Sequence, residues 1–250
     1  MTRFASLGSG SRGNATIVEI GGQLILVDCG FSLRQTEERF ARLGKKPADL
    51  TALLVTHEHS DHISGVAALT HKYNIPVYGS YGTFKATQNS LYGTVVKAGT
   101  SFTVGDVLIH PVVVPHDARE PIQFIFEHSG IRIGVISDLG QITPHVISQY
   151  QKCIGLMMES NHDENLLRRG NYPAKLKTRI SGKLGHLSNK QAAFFLDSVK
   201  NKNLSVVVGH ISERNNSADL LNNFFTRFHN DVASLGFATQ DEGIDWISVD

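Results

Sequence analysis

Residues 55–62 read Val-Thr-His-Glu-His-Ser-Asp-His and follow a short apolar run. This segment places three imidazoles and a carboxylate within six consecutive positions. Without a ligand these groups would crowd and repel one another, whereas a divalent cation would hold them together by coordination. A solvated polar loop is the alternative, but its position after a buried strand argues against it. The segment therefore predicts a metal site in which His57 and His59 bind one ion while Asp61 and His62 reach a second.

Composition and length are those of an ordinary folded chain. The 250 residues are 41% hydrophobic and 19% charged, which is enough to bury one large core or two small ones. No apolar run approaches the ~20 residues of a membrane span, the first residues lack a signal-peptide apolar region, and two cysteines cannot make a disulfide framework. We therefore expect a cytoplasmic protein with no membrane partner. The net charge of +1 predicts no partner by itself, and homo-oligomerisation is left open.

The order of strand-like and helix-like segments predicts two αβ halves that pack sheet to sheet, with helices outside, as one domain over residues 1–250. Ser32 is a candidate N-cap for the first helix, and Thr51–Thr56 is a candidate buried strand. Asp61 is expected to cap the helix after the histidine loop as well as to bind metal. The final third is expected to include a long helix from Ser217 to about Leu235.

The segment Gly8-Ser9-Gly10-Ser11-Arg12-Gly13 matches the dinucleotide fingerprint G-x-G-x-x-G. That fingerprint requires a helix to follow, because the helix N-terminus binds the pyrophosphate. Here Asn14 leads into a β-branched run that is typical of a strand. We therefore predict a glycine-rich turn that approaches the metal site, and no dinucleotide cofactor.

Three more candidate ligands follow apolar runs elsewhere in the chain. His116 follows Val112-Val113-Val114-Pro115, Asp138 follows Gly134-Val135-Ile136-Ser137, and His210 follows Val206-Val207-Val208-Gly209. Loops at the carboxyl ends of strands gather functional residues in αβ folds. One polar residue at a strand end is commonly incidental, but three of them alongside the histidine loop indicate a site for two metals.

In order along the chain, these residues resemble the metal-binding pattern of the metallo-β-lactamase superfamily, and Leu26-Val27-Asp28-Cys29-Gly30 matches its first motif. The resemblance implies an αββα four-layer sandwich with a two-metal site at one edge. It also implies one metal held by His57, His59 and His116, a second held by Asp61, His62 and His210, and Asp138 bridging the two. Asp28 is then expected to brace the histidine loop from behind the ligands.

Finer features indicate a branch of the superfamily. Position 59 is His rather than the Glu of diiron flavoprotein relatives, which argues against redox chemistry, and the Val-Pro-His-Asp-Ala context of His116 weakens a thioesterase interpretation. Four segments look like the YycJ/WalJ group, namely residues 7–14, 159–163, 185–189 and 209–216. That group includes exonucleases that act on double-stranded DNA from the 5′ end. The resemblance therefore implies a 5′-to-3′ DNA exonuclease with a role in DNA repair.

Two divalent cations at such a site would activate a bridging water as hydroxide for attack on a phosphodiester. Zinc, manganese and iron all suit the ligand set, and Asp61 is expected to orient the nucleophile. His186 and His162 are candidates for protonating the leaving group, and His186 is favoured because the polar turn and helix start beyond it could bind a phosphate. The residues expected to bind phosphate or to support the ligands are Ser9, Asn14, Asn161, Ser188, Asn189, Ser212 and Asn215.

The segment from Leu166 to Lys190 carries seven basic residues and no acidic one. A solvated surface would explain this charge, and so would neutralisation of nucleic-acid phosphates. If Arg168, Arg169, Lys175 and Lys177 line the cleft, a polynucleotide, in particular DNA, is the expected substrate; if they face away, a small substrate is. The small-substrate alternative is a metallohydrolase acting on a cyclic phosphodiester, a lactone or a thioester. A non-enzymatic metal-binding or scaffold protein is a third class.

Overall fold

A computed structural model describes residues 1–88 and 90–249 and contains two seven-stranded sheets. Asn89 and Asp250, which fall within the predicted domain 1–250, lie outside the described residues. Within the described part, no helix is long and apolar enough to cross a bilayer.

The first sheet has the strand order β14-β1-β2-β3-β4-β5-β6. Its strands are β1 (Arg3–Gly8), β2 (Ala15–Ile20), β3 (Gln23–Val27), β4 (Ala52–Leu54), β5 (Val77–Gly79), β6 (Thr94–Val95) and β14 (Ile244–Ser248). The strands from β14 to β3 pair antiparallel, and β2 and β3 form a hairpin. The pairs from β3 to β6 are parallel.

The second sheet has the order β13-β12-β11-β10-β9-β8-β7. Its strands are β7 (Phe102–Val104), β8 (Val107–Val113), β9 (Ile122–His128), β10 (Ile131–Ile136), β11 (Gly155–Glu159), β12 (Ser205–Gly209) and β13 (Ser234–Phe237). The strands from β10 to β13 pair parallel, and those from β7 to β10 pair antiparallel. Strands β8, β10, β11 and β12 therefore end at the same edge.

The helices are α1 (Leu33–Arg42), α2 (Ser60–Ile63), α3 (Val66–Tyr73), α4 (Tyr81–Ala86), α5 (Pro144–Tyr150), α6 (Glu164–Arg169), α7 (Ala174–Ile180), α8 (Asn189–Val199) and α9 (Ala218–Phe225), with 3-10 turns at Pro47–Asp49 and Thr226–Phe228. Capping boxes begin α1 at Ser32, the predicted N-cap, and α8 at Ser188.

Three apolar layers explain the architecture. Phe4 of the first sheet and Phe124 of the second belong to one fully buried cluster, so the sheets pack face to face. Phe40 of α1 packs on the outer side of the first sheet, and Phe195 of α8 and Phe225 of α9 pack on the outer side of the second. Each sheet is thus covered on both of its faces, by the other sheet on one and by helices on the other. The predicted αββα sandwich is confirmed.

Three local predictions need correction. Strand β4 is only Ala52–Leu54, shorter than predicted. The predicted helix from Ser217 to Leu235 is wrong: α9 ends at Phe225, and Ser234–Phe237 pairs parallel with β12. The helical spacing of buried apolar residues continues to Val232, so the pattern did not reveal the change to a strand. The predicted Asp61 cap is also wrong, because His59 holds the N-cap position of α2 without a side-chain bond.

Candidate metal centre

The strand ends of both sheets meet at one edge of the sandwich. Asp28 follows β3 of the first sheet, and Asp138 and His210 follow β10 and β12 of the second. All three have left-handed backbones, with φ of 61° at Asp28, 55° at Asp138 and 47° at His210. Non-glycine residues adopt this conformation at a cost of order 1–3 kcal/mol, and such strain clusters at functional sites. The chain therefore turns sharply at these positions and directs their side chains toward the common edge.

His57, His59 and His116 form one ligand group, with atoms all within 4.8 Å of one another. His59 Nδ1 lies 3.2 Å from His116 Nε2, close to the roughly 3.3 Å that two nitrogens on one tetrahedral zinc would have. The other ring nitrogen of His116 lies 3.1 Å from the carbonyl oxygen of Gly185, so Nδ1 donates there and Nε2 faces the group.

Asp61, His62 and His210 form the second group, again with atoms within 4.8 Å. His62 is oriented from behind, since its Nδ1 lies 2.7 Å from Asp28 Oδ2. Asp28 is itself held by Thr56, whose backbone N–H and hydroxyl donate to it at 2.8 and 2.7 Å. Asp28 thus contacts His62 on the side away from the centre of the site, which His62 Nε2 faces.

Asp138 lies between the two groups. Its Oδ2 is 2.9 Å from His62 Nε2 and 3.0 Å from His210 Nδ1, and it also clusters with His57. Burial alone would raise the pKa of Asp138, but the charges of His210 and His62 outweigh it and hold that pKa well below its ordinary value. The carboxylate is therefore ionised between the two groups of candidate ligands.

The polar atoms at the centre fit divalent cations. His57 Nε2 is buried and has no hydrogen-bond partner among the described residues. Burial, and then the charge of His62, lower the pKa of His57 well below its ordinary value, so its imidazole is neutral, the form that binds metal. His62 behaves oppositely: although burial opposes it, Asp138 and Asp28 raise its pKa well above the ordinary range. The proton on His62 thus balances the negative charge of Asp138 and Asp28. A bound cation would supply that positive charge in place of the proton.

The glycine-rich turn approaches the site as the sequence predicts, and β2 rather than a helix follows it. Asn14 N donates to the carbonyl of Asp61 at 2.8 Å, and Asn14 Nδ2 lies 3.3 Å from both Asp61 Oδ2 and His62 Nε2. Ser9 Oγ accepts from the backbone N–H of His210 at 2.7 Å. A Cβ at Gly30 would lie 1.9 Å from the carbonyl oxygen of Asp61, which explains why glycine stands there.

Glu159 was not predicted as a site residue, yet its carboxylate holds the segments that carry Asp138 and His186. It ends β11 and is fully buried. Its Oε1 accepts from the backbone N–H groups of Leu139 and Leu187 at 3.1 and 2.8 Å, and its Oε2 accepts from Asp138 N at 3.1 Å and lies 3.2 Å from His186 Nδ1. The signal was present, since Glu159 is an acidic residue at the end of an apolar strand, as Asp138 is.

The structure separates the two candidate proton donors. His186 lines the cleft over the ligand groups, with Nδ1 3.3 Å from Asp138 Oδ1. Burial would lower the pKa of His186, but the hydrogen bond to Glu159 and its charge raise it to about 9. His162 is absent from the described residues that line this cleft, and it lines two other cavities instead. Its pKa is lowered to about 4 by burial.

The cleft has a volume of about 350 Å³, and the candidate ligands that line it are His59, Asp61, Asp138 and His210. Tyr172, Leu176 and Ile180 line it as well, and so does Arg179. Arg179 forms a two-pronged ion pair with Asp117, including Nη2 to Oδ1 at 3.0 Å. The guanidinium is therefore held in a fixed position, although its side chain stays 46% exposed.

Predicted phosphate-binding residues divide between the cleft and the interior. Asn161 and Ser212 line the cleft. Ser188 caps α8, Asn189 bonds to Ser160 in a buried network, and Asn215 donates to Ser212 Oγ at 3.2 Å. These last three are absent from the described residues that line the cleft.

The basic stretch is divided in the same way. Of the basic residues of this stretch, Arg179 lines the cleft, whereas Arg168, Arg169, Lys175 and Lys177 are not among the described residues that line it. From the sequence, a small substrate is expected if these four residues do not line the cleft, and they are not among its described lining residues.

Comparison with known proteins gives the family. A family profile described as "Beta-lactamase superfamily domain" matches residues 23–211. The chain is similar to the exodeoxyribonuclease WalJ of Streptococcus pneumoniae serotype 2 (strain D39 / NCTC 7466), with 34% identity over 87% of this chain and 84% of that protein. It is equally similar to the exodeoxyribonuclease YycJ of Bacillus anthracis, with 34% identity over 87% of this chain and 85% of that one. The chain belongs to the β-lactamase superfamily.

A solved structure agrees on the fold. The metallo-β-lactamase fold protein YhfI from Bacillus subtilis superposes with a TM-score of 0.75 over 99% of this chain and 100% of that chain, at 14% identity.

Proposed function

We propose that this superfamily member is a metal-dependent hydrolase that cleaves phosphodiester bonds, and specifically a 5′-to-3′ DNA exonuclease linked to DNA repair. The observation that carries the proposal is the clustering of the seven predicted ligands in overlapping groups, beside a cleft that also holds a fixed guanidinium. The two exodeoxyribonucleases to which the chain is 34% identical over most of its length support a DNA substrate.

The metal site would hold two ions, which we propose to be zinc or manganese, with iron as a further candidate. His57, His59 and His116 would hold one, and Asp61, His62 and His210 the other, with Asp138 shared between them. Bound divalent cations would lower the pKa of a water molecule and neutralise charge on the phosphate oxygens.

The residues of the chain would supply the rest of the chemistry. Asp61 would orient the attacking water by accepting its hydrogen bond. Arg179, held in place by Asp117, would bind a nonbridging oxygen of the phosphate. His186 lines the cleft and is held by Glu159, so we propose that it donates a proton to the leaving oxygen.

Tyr172 and Leu176 would receive the organic part of the terminal nucleotide. They line the cleft beside Arg179, so a base or sugar can rest on them while the phosphate faces the ligands. Stacking on an aromatic ring favours every base alike, as an exonuclease without sequence preference requires.

A small phosphodiester is the second candidate substrate. It is favoured by the absence of Arg168, Arg169, Lys175 and Lys177 from the described residues that line the cleft. A non-enzymatic metal-binding or scaffold role would be revived if the purified protein failed to bind metal.

The test is incubation of the purified protein, with zinc and then manganese, against end-labelled single- and double-stranded DNA and RNA and against a small chromogenic phosphodiester. We expect mononucleotides to be released from the 5′ end of DNA. Cleavage of the chromogenic diester without any DNA degradation would support the small-substrate candidate instead. The cytoplasmic location and the oligomeric state remain predictions, which fractionation and light scattering would check.

A further inference from the structure

A second cavity lies beside the cleft and carries uncompensated positive charge. It has a volume of about 300 Å³ and is lined by Arg168 of α6, Lys177 of α7, Ser181, His162 and Glu164, among others. We call it the basic cavity. A neighbouring cavity shares His162, Glu164 and Ser181 and adds Lys190, so that three cations face one carboxylate across the two.

The cations of the basic cavity are held without being neutralised. Lys177 Nζ donates to the carbonyl oxygen of Arg168 at 2.8 Å, and Arg168 Nη2 donates to Asn165 Oδ1 at 2.9 Å. Neither side chain forms an ion pair with a described residue. Glu164 accepts instead from Ser188 Oγ at 3.1 Å. The two charges are therefore available to an anion.

His162 adds an unsatisfied polar group to the same wall. Its side chain is almost fully buried, at 1% exposure, and its Nδ1 has no hydrogen-bond partner among the described residues. A buried polar atom without a partner costs about 1–3 kcal/mol, a cost that a shift of the ring toward an anion in the cavity would relieve. The pKa of about 4 makes the ring neutral near pH 7, so it offers one N–H rather than a third charge.

Helix α7 separates the basic cavity from the metal cleft. Leu176, Arg179 and Ile180 line the cleft, whereas Lys177 and Ser181 line the basic cavity. A helix with its side chains is about 10–12 Å across. One phosphate cannot occupy both sites, but an extended strand that crosses α7 can present different phosphates to each.

We propose that the basic cavity binds a non-scissile phosphate of a polynucleotide strand whose reacting phosphodiester lies in the metal cleft. This inference rests on the proposed function and specifies how the enzyme distinguishes a polymer from a small diester. It also gives a role to two basic residues that do not line the cleft.

The test uses the double substitution Arg168→Ala with Lys177→Ala in the metal-loaded protein, and Lys97→Ala, an exposed lysine on the other half of the molecule, as control. For DNA oligonucleotides we expect a raised KM with little change in kcat. The slope of log(kcat/KM) against log[salt] should become shallower by about 0.7–0.9, because one phosphate is no longer neutralised by the protein. Turnover of the chromogenic diester, and the unfolding temperature, should match those of the control.

Oligonucleotides of increasing length sharpen the test. In the unsubstituted protein, KM should fall once the strand is long enough to cross α7, and the double variant should lose this step. The inference would be overturned if the double variant kept the KM and the salt slope of the unsubstituted protein on DNA, or if it lost as much activity on the small diester as on DNA. Neither result would contradict the proposed exonuclease activity. If the unsubstituted protein degrades no DNA at all, the proposed function itself fails.

Discussion

Replacing Glu159 by glutamine should weaken both the fold and the metal site. The carboxylate accepts four hydrogen bonds, two on each oxygen: Leu139 N and Leu187 N on one, Asp138 N and His186 Nδ1 on the other. Glutamine has one acceptor oxygen, so its NH₂ group must face two of these donors. Each buried donor left unsatisfied costs about 1–3 kcal/mol, or about 2–6 kcal/mol for two.

The lower end of that range is the better expectation, because removing a fully buried charge relieves some desolvation. For a chain of this size about 2 kcal/mol lowers the Tm by at least about 4 °C. Asp138 and His186 should also shift, so turnover and metal content should both fall. Calorimetry, elemental analysis and hydrolysis of a chromogenic diester measure the three effects.

Glu38→Gln is the matched control, since Glu38 is exposed and, among the described residues, forms its ion pair with Arg34 on the surface of α1. It should leave all three measurements unchanged. A Glu159→Gln protein with the Tm, metal content and turnover of the control would refute the reasoning that Glu159 positions Asp138 and His186.

Three further substitutions test other parts of the site. Asp138→Ala should abolish diester hydrolysis because its carboxylate faces both ligand groups; full turnover in metal-free buffer would contradict the mechanism. His186→Ala should slow turnover and leave metal content intact, whereas loss of metal would make His186 a ligand. Tyr172→Ala should raise KM for DNA about 5- to 150-fold, the equivalent of about 1–3 kcal/mol per stacked base; an unchanged KM would remove Tyr172 from the base-binding wall.

The sequence was most informative where residue types are unusual. Imidazoles and carboxylates at the ends of apolar strands have few structural uses, so His57, His116 and His210 could be identified as candidate ligands without knowing the fold. Parallel strands place their carboxyl ends at one edge, and the structure brings these residues together there. Glu159 is also an acidic residue at the end of an apolar strand. It was not predicted as a site residue, because the segment 159–163 was used only as evidence of family resemblance.

The sequence was least informative where orientation decides the outcome. Asn161 and His162 are adjacent, yet one lines the cleft and the other the basic cavity, because neighbours in an extended segment point to opposite sides. Arg179 and Lys177 likewise lie on different faces of α7. How a short helix docks depends on tertiary packing, so no local pattern reveals which basic residue reaches the cleft.

The left-handed turns at Asp28, Asp138 and His210 have an evolutionary consequence. Glycine and asparagine adopt this backbone at least as readily as aspartate or histidine, and each is one nucleotide change away from aspartate. A single mutation at Asp138 can therefore remove a central carboxylate while easing the backbone that carried it. The eased backbone offsets part of the cost of losing the contacts of Asp138 with His62 and His210, so catalytically silent descendants with an intact sandwich can arise at these positions, and these positions are where they would be recognised.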